Sequence, residues 1–312
     1  MGSPMSGGVR TGPVRVLVPA SSANVGPGFD SLGLALSVYD ELVAMATEDE
    51  GVLVEVAGEG EAEVPRDERN LVVQAMLKAF DAMGVQPPGF VLRCRNTIPH
   101  GRGLGSSAAA IIGGMVLARA MVPGADFDDD TLLAKATEME SHPDNLAAAL
   151  HGGFTVAWLG QDSRPGAVRL DVHPSLRAVL VVPVDTLPTS HAREALPTDV
   201  SHADATFNVA RSALLVHAVT ARPDLLWEAM ADRLHQQARA PVYPASLAVL
   251  GQLRSAGHAA AISGAGPSVL VLSDQDDIEA RVTGLIAGTA GWGVREIPIS
   301  LDGAHESPLE AV

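Results

Sequence analysis

The residue types and spacings that point to chemistry are concentrated in Pro99-His-Gly-Arg-Gly-Leu-Gly-Ser-Ser-Ala-Ala-Ala110. There Gly101, Gly103 and Gly105 alternate and give way to two serines and an apolar run. Glycines adopt backbone angles that a Cβ disfavours and let main-chain N–H groups approach a ligand closely. Ser106 or Ser107 is expected to act as N-cap, with the N–H groups of the first helical turn turned toward an anion. The stretch reads as a phosphate-binding loop that opens a helix over about 106–121. Neither common nucleotide fingerprint fits: no lysine lies between Gly101 and Ala110, and Ser106 stands where a dinucleotide loop has its third glycine. On these residues alone, a ligand-free connector between strand and helix accounts for the loop equally well.

Three further polar clusters accompany it. Ser21-Ser-Ala-Asn-Val-Gly-Pro-Gly-Phe-Asp30 follows a β-rich run and sets Asn24 and Asp30 in a tight turn. It reads either as a ligand grip or as Asx turns serving their own backbone. Glu138-Met-Glu-Ser-His-Pro-Asp-Asn145 gathers carboxylates, His142 and Asn145 at a helix end closed by Pro143. A carboxylate there could hold Mg²⁺ together with phosphate oxygens, although a solvated helix terminus explains the acids as well. Ser263-Gly-Ala-Gly-Pro-Ser268 is a second glycine turn. Arg193 is the firm cation of the polar loop 186–193, and Arg239 lies just before Pro241.

Composition narrows the partners. The chain has 312 residues and a formal charge of −16, from 37 acidic and 21 basic side chains. That field disfavours nucleic acid and acidic membranes while leaving a small anion possible at a local site. Cys94 is the only cysteine, which excludes an intrachain disulfide and any cysteine-based metal site. Its alternating neighbours in 90–96 mark it as core packing. The longest apolar run, 108–122, is broken by Arg119 and falls short of a membrane span. Residues 1–13 are Gly, Ser and Pro rich, without the apolar segment of a signal peptide, so a flexible leader and a cytoplasmic location are expected. His173, His191, His202 and His217 form no metal-ligand spacing.

Periodicity supplies the elements that must position these residues. Strands are expected over 14–20, 52–57, 90–96, 154–159, 178–184, 259–262, 269–272 and 294–299. Helices are expected over 70–83, 106–121, 131–140, 146–150, 207–220, 223–234, 245–256 and 276–286, with Asp130 capping the third. The polar stretch 161–166 is the expected domain boundary.

The motifs at 19–30, 99–110, 140–145 with Gly152-Gly153-Phe154, and 261–268, in chain order, resemble the GHMP small-molecule kinases, and the likeness runs from about Val14 to the last strand, nearly the whole chain. It implies a two-domain α/β (α+β) fold. An N-terminal ATP-binding domain over 14–165 would carry a mixed sheet and the Gly-rich loop and helix; a ferredoxin-like α+β domain would follow over 166–312. The resemblance implies ATP held by Pro99, His100, Gly101, Arg102, Gly103, Leu104, Gly105, Ser106, Ser107, Ala108 and Ala109. Mg²⁺ would be shared between Ser106 or Ser107 and Glu140, with Glu138 as the alternative carboxylate. An amino-acid alcohol would be gripped by Asn24, Asp30, His142, Thr189, Arg193 and Arg239, with Asp30 on its ammonium or its hydroxyl. An arginine fork suits a carboxylate. A homodimer is implied as well.

Related kinases carry an aspartate at the position of Asn145. Catalysis here is therefore expected to rest on positioning and charge neutralisation around Asn24, Asp30, Asn145 and Arg193, without an obligatory side-chain base. Leu146 and Ala148 also depart from the family's more frequent Val and Pro, which bears on helix packing. Two other readings stand beside this one: a kinase of the same family acting on another alcohol, and a catalytically silent nucleotide or metabolite sensor.

Overall fold

Apolar residues at alternate positions make Val14–Ala23 a strand (β1) with one sealed face, paired antiparallel with the long Leu32–Thr47 (β2). The computed structural model describes residues 8–187 and 189–309, with only the main chain of Thr189 and Ser190. Val52–Gly58 (β3) follows, then Leu71–Ala82 (α1) and Gly89–Asn96 (β4). Next come Ser106–Met121 (α2), Asp129–Thr137 (α3), Pro143–His151 (α4), Phe154–Leu159 (β5) and Pro165–Leu170 (β6). β3 pairs parallel with β4 and the other pairings are antiparallel, which gives the mixed sheet expected.

The second unit begins with Arg177–Pro183 (β7), Thr189–Glu194 (α5) and His202–Thr220 (α6). A 3-10 turn at Pro223–Leu225 leads into Leu226–Ala229 (α7), followed by Pro244–Ser255 (α8) and Ala259–Ile262 (β8). Val269–Ser273 (β9), Ile278–Ile286 (α9) and Trp292–Ile297 (β10) complete it. Its antiparallel order, β10-β7-β9-β8, is that of a ferredoxin-like domain. His305–Glu306 (β11) then returns to pair with β1.

α2 is central to the first unit, and eleven of its sixteen residues are buried. Small side chains allow its neighbours close: a Cβ at Gly113 would stand 2.6 Å from Leu42, and one at Gly114 2.6 Å from the Val72 carbonyl. The N-terminus of α2 is thereby fixed between the sheet and α1, where it can carry a precise loop.

Several sequence expectations are corrected. The boundary placed at 165/166 falls inside the region of β6, whose pairing with β5 keeps Pro165–Leu170 in the first sheet; β11 adds a C-terminal strand to it. Asp128, not Asp130, caps α3, accepting the Thr131 N–H at 2.8 Å. The loop expected over 186–193 contains α5. The helix expected over 223–234 ends at Ala229, because Asp232 takes up the N–H groups of Leu234, His235 and Gln236 and turns the chain. Of the leader, Arg10 donates its N–H to Met121 O and pairs with Glu306. Among the described residues, no helix is long and apolar enough to cross a membrane.

Candidate active site

The loop from β4 to α2 takes left-handed backbone angles at all three alternating glycines, with φ of 64°, 69° and 71° at Gly101, Gly103 and Gly105. The expected serine cap is corrected. Gly105 itself occupies the N-cap position with no side-chain bond, and Ser106 and Ser107 lie within the first turn. The left-handed turn at Gly105 leaves no Cβ to carry a capping oxygen, so the first-turn N–H groups lack a side-chain acceptor. A Cβ at Gly103 would collide with Ser263 O and stand 2.8 Å from Gly266 O, so the first glycine loop is docked on the second. Ser263 Oγ completes the clasp, bonded to Gly103 O at 2.6 Å and Ser22 Oγ at 2.8 Å. Arg102 turns away from the loop's concave side: its Nε and Nη2 donate to the carbonyls of Pro183 and Val184, and Nη1 to that of His100. Leu104 is buried and its carbonyl accepts the Ser21 N–H.

Beside the start of α2 lies a largely apolar cavity of about 290 Å³, lined by Leu42, Val64, Asn70, Cys94, Ser106 and Ala110 among others. Its size and apolar lining suit an aromatic base. His100 lies on its wall as well. The segment from Val64 to Asn70 was not singled out by sequence reasoning; its signal was Asn70, which caps α1 through Val72 N and holds Pro65 O through its amide. Burial pushes the Cys94 thiol up to about 12, which makes it an inert part of the wall.

The two candidate metal carboxylates separate in space. Glu138 is bound by Lys78 at 2.8 Å and Lys135 at 2.9 Å at the surface, and these lysines lower its pKa. Glu140 lies inside. Burial raises its pKa, with the Ser107 hydroxyl acting in the opposite direction, and its Oε2 is buried with no hydrogen-bond partner among the described residues. A buried, unpaired carboxylate oxygen beside a serine hydroxyl is oxygen chemistry that suits a hard cation. Among the described residues, no cluster of three or more His, Cys, Asp or Glu competes for that part.

The turn after β1 holds the remaining candidates. Asn24, Val25 and Gly26 are left-handed in succession (φ 66°, 45° and 89°), and Asp30 is too, at 54°. Asn24, 4% exposed, closes the turn by accepting the Asp30 N–H and donating to Gly264 O, both at 2.9 Å. Across the opening, Arg193 of α5 grips both carboxylate oxygens of Asp30, and His142 Nε2 lies 3.7 Å from it. Desolvation lowers the His142 pKa against the pull of Asp30. Arg239, 2% exposed, and Arg193 both stand over the Phe29 ring, at 5.6 and 5.8 Å. Thr189 opens α5, and its side chain lies outside the described residues.

Asn145 joins the two halves: Ser21 Oγ donates to its Oδ1 at 2.8 Å, and a Cβ at Gly105 would stand 3.1 Å from the same oxygen. Its neighbour Asp144, which sequence reasoning left without a role, is 3% exposed at the start of α4. Burial, with Asp30 and Glu140 nearby, pushes its carboxyl up to about 7. Its place after a helix-breaking proline in an acidic cluster was visible in the sequence; its burial was not.

Two family models match the chain in order, GHMP kinases N terminal domain over residues 70–153 and GHMP kinases C terminal over residues 215–285. They cover the loop and the central helices of the first unit and much of the second, which makes the class that of ATP-dependent GHMP kinases. Homoserine kinase of Streptomyces avermitilis is 48% identical over 97% of this chain and 98% of its own length. That of Mycolicibacterium smegmatis is 49% identical over 91% and 92%. The crystal structure of homoserine kinase from Cytophaga hutchinsonii superimposes with a TM-score of 0.84 at 27% identity, covering 98% of this chain and 99% of that one. The chain belongs to the GHMP kinases and, among them, to the homoserine kinase family.

Proposed function

We infer that this chain transfers the γ-phosphoryl group of ATP to the hydroxyl of L-homoserine, giving O-phospho-L-homoserine and ADP on the way to threonine. The observation that carries the substrate reading is the bidentate pair of Arg193 and Asp30, with Arg239 and the buried Asp144 close by. A zwitterionic amino acid offers one charge to each side of such a pair. Arg193 and Arg239 take the carboxylate, Asp30 and Asp144 flank the ammonium, and Asn24 and His142 shape the turn around them. The hydroxyl end then points toward Asn145 and the start of α2.

On the nucleotide side, the cavity between Val64 and Ala110 receives the base. The loop from Gly101 to Ser107 lies along the phosphates, and the uncapped N–H groups of α2 face their negative charge. Ser107 and Glu140 fit Mg²⁺, because Glu140 brings an oxygen with no other partner. When bound, the ion supplies neutralisation of phosphate charge. No side-chain base is assigned: phosphoryl transfer depends mainly on alignment and on stabilising the equatorial oxygens, and the Asn145 amide orients rather than removes a proton.

The deciding experiment is homoserine-dependent ADP formation with Mg²⁺, compared with serine and threonine as acceptors. A clear preference for homoserine is expected. Turnover of a different alcohol in its place, or ATP binding without turnover of any acceptor, would overturn the assignment.

A further inference from the structure

His235 is 1% exposed and lies behind Arg239, yet both of its ring nitrogens are committed. Nε2 lies 2.7 Å from Gly26 O, which can only accept, and Nδ1 lies 3.1 Å from Arg239 Nη1, which can only donate. Partners of opposite polarity fix the ring as the neutral tautomer with its proton on Nε2. We propose that His235 is a positioning residue for the substrate carboxylate, tying the Arg239 guanidinium to the Gly26 carbonyl so that cation and substrate loop are held in one register. This rests on the reading of Arg239 as a carboxylate ligand.

The surroundings are built to hold that ring still. It stacks on Phe29 at 5.2 Å, the same ring over which Arg193 and Arg239 stand. Asp232 fixes the main chain of residues 234–236 through three N–H groups. Asn208 and Ser212 of α6 hold Pro27 O, one residue beyond Gly26. Arg239 Nε donates to Ala192 O at 2.8 Å, so with Nη1 on His235 the plane of the guanidinium is set. Burial is the main cause that lowers the ring's pKa, and Arg239 adds to it; Asp232, Gly26 O and Asp30 oppose. A protonated ring would turn an N–H toward the N–H of Arg239, breaking the link.

A histidine that served only the core would affect both substrates and both steps alike. The test compares homoserine with 3-aminopropan-1-ol, which lacks the carboxylate, in steady-state ADP formation, with thermal midpoints showing that each variant is folded. Arg239→Met should reduce the preference for homoserine at least about tenfold, the range of a hydrogen bond to a charged group. His235→Gln keeps a donor for Gly26 O but loses the acceptor for Arg239. It should raise the homoserine KM and lower the preference by about tenfold while leaving the ATP KM unchanged. His235→Asn restores an acceptor at the Nδ1 position and should recover part of the preference. Equal losses on both acceptors in His235→Gln, with Arg239→Met still abolishing the preference, would reduce His235 to a core residue and leave the carboxylate reading standing. An unchanged preference in Arg239→Met would overturn the carboxylate reading and this inference with it.

Discussion

Arg193 holds both carboxylate oxygens of Asp30, at 2.9 and 3.3 Å, so the two side chains proposed for the carboxylate and the ammonium on the homoserine α-carbon neutralise each other across the site. Substrate entry must exchange this internal pair for two external ones. The pair is partly exposed, so its own contribution to stability is small. Its loss should appear in substrate binding instead. Asp30→Asn and Arg193→Met are each expected to raise the homoserine KM by about ten- to a hundredfold with the ATP KM unchanged, as measured by initial rates. A parallel rise in the ATP KM would place the pair in domain packing rather than in the acceptor site.

With Asp144 beside the ammonium, as proposed, homoserine binding is expected to be sensitive to pH. Its carboxyl stands at about 7 in the folded chain against an ordinary 3.8, because burial disfavours the charged form. A folded pKa above the unfolded one means that the stability this group contributes is complete below about pH 4 and is lost as pH rises through about 7. An ammonium placed beside the carboxylate favours the ionised form, so binding should release a proton near neutrality. The homoserine KM is expected to rise as pH falls from 8 toward 6. Asp144→Asn should flatten that profile, raise the KM and make the free protein more stable at pH 8 than the parent, read as a higher thermal midpoint. A collapse of kcat at constant KM would instead make Asp144 a general base.

Glu140 combines cost and use in one side chain. Its buried, unpartnered oxygen destabilises the free protein, and burial raises its pKa. Glu140→Gln keeps the shape and removes the charge. It should raise the thermal midpoint by a few degrees, from about 1 kcal/mol of relieved desolvation, while reducing kcat about a hundredfold and abolishing saturation by Mg²⁺. Glu138→Gln, at a side chain that pairs with Lys78 and Lys135 at the surface, should leave the Mg²⁺ dependence unchanged. Equal Mg²⁺ titrations for Glu140→Gln and the parent would remove Glu140 from the metal site.

Gly103 and Gly84 have the same backbone sign, with φ of 69° and 67°, but different surroundings. A Cβ at Gly84 meets nothing within 4 Å, whereas one at Gly103 runs into the second glycine turn at Ser263 and Gly266. Gly84→Ala should cost only the left-handed penalty of about 1–2 kcal/mol with normal kinetics. Gly103→Ala should cost more and also raise the ATP KM, because Ser263 must release the loop. Identical effects of the two substitutions on stability and ATP KM would show that the clasp carries no function.

Local chemistry was legible in the sequence where a residue's job is set by its immediate neighbours. The start of α2 near Ser106 and the glycines that need positive φ could be read in this way, whereas the mixed and ferredoxin-like sheets were implied only by the resemblance of the motifs to a family. What distance creates was not legible. The resemblance already implied Glu140 ahead of Glu138, but the pairing of Glu138 with Lys78, which reaches from α1, had no sign in the sequence. The bonds that the Arg102 side chain makes to two carbonyls at the end of β7 and just beyond it could not be read from its place in the ATP-loop motif. Asp144 looked like one more acid at a helix end until the packing of β2 against α4 enclosed it; a Cβ at Gly33 would stand 2.5 Å from its carbonyl. The cavity beside α2 draws on β2, β4 and the segment before α1, which have no motif of their own, as well as on the start of α2, which has one.

Asn145 tests whether the reaction needs a side-chain base at all. Its Oδ1 accepts from Ser21 Oγ beside Gly105 of the loop, so the amide nitrogen is the donor the side chain has to offer an acceptor hydroxyl. Asn145→Asp keeps the bond to Ser21 and replaces that donor with negative charge, next to Asp144 and close to the phosphate-binding turn. If a base limited the rate, the new carboxylate would raise kcat and give it a rising limb with pH. If positioning and charge neutralisation limit it, the added charge opposes the incoming phosphate, and kcat should not exceed the parent's at any pH. Stopped-time ADP assays from pH 6 to 9 distinguish the two: a kcat above the parent's with a new titrating limb would sink the base-free mechanism.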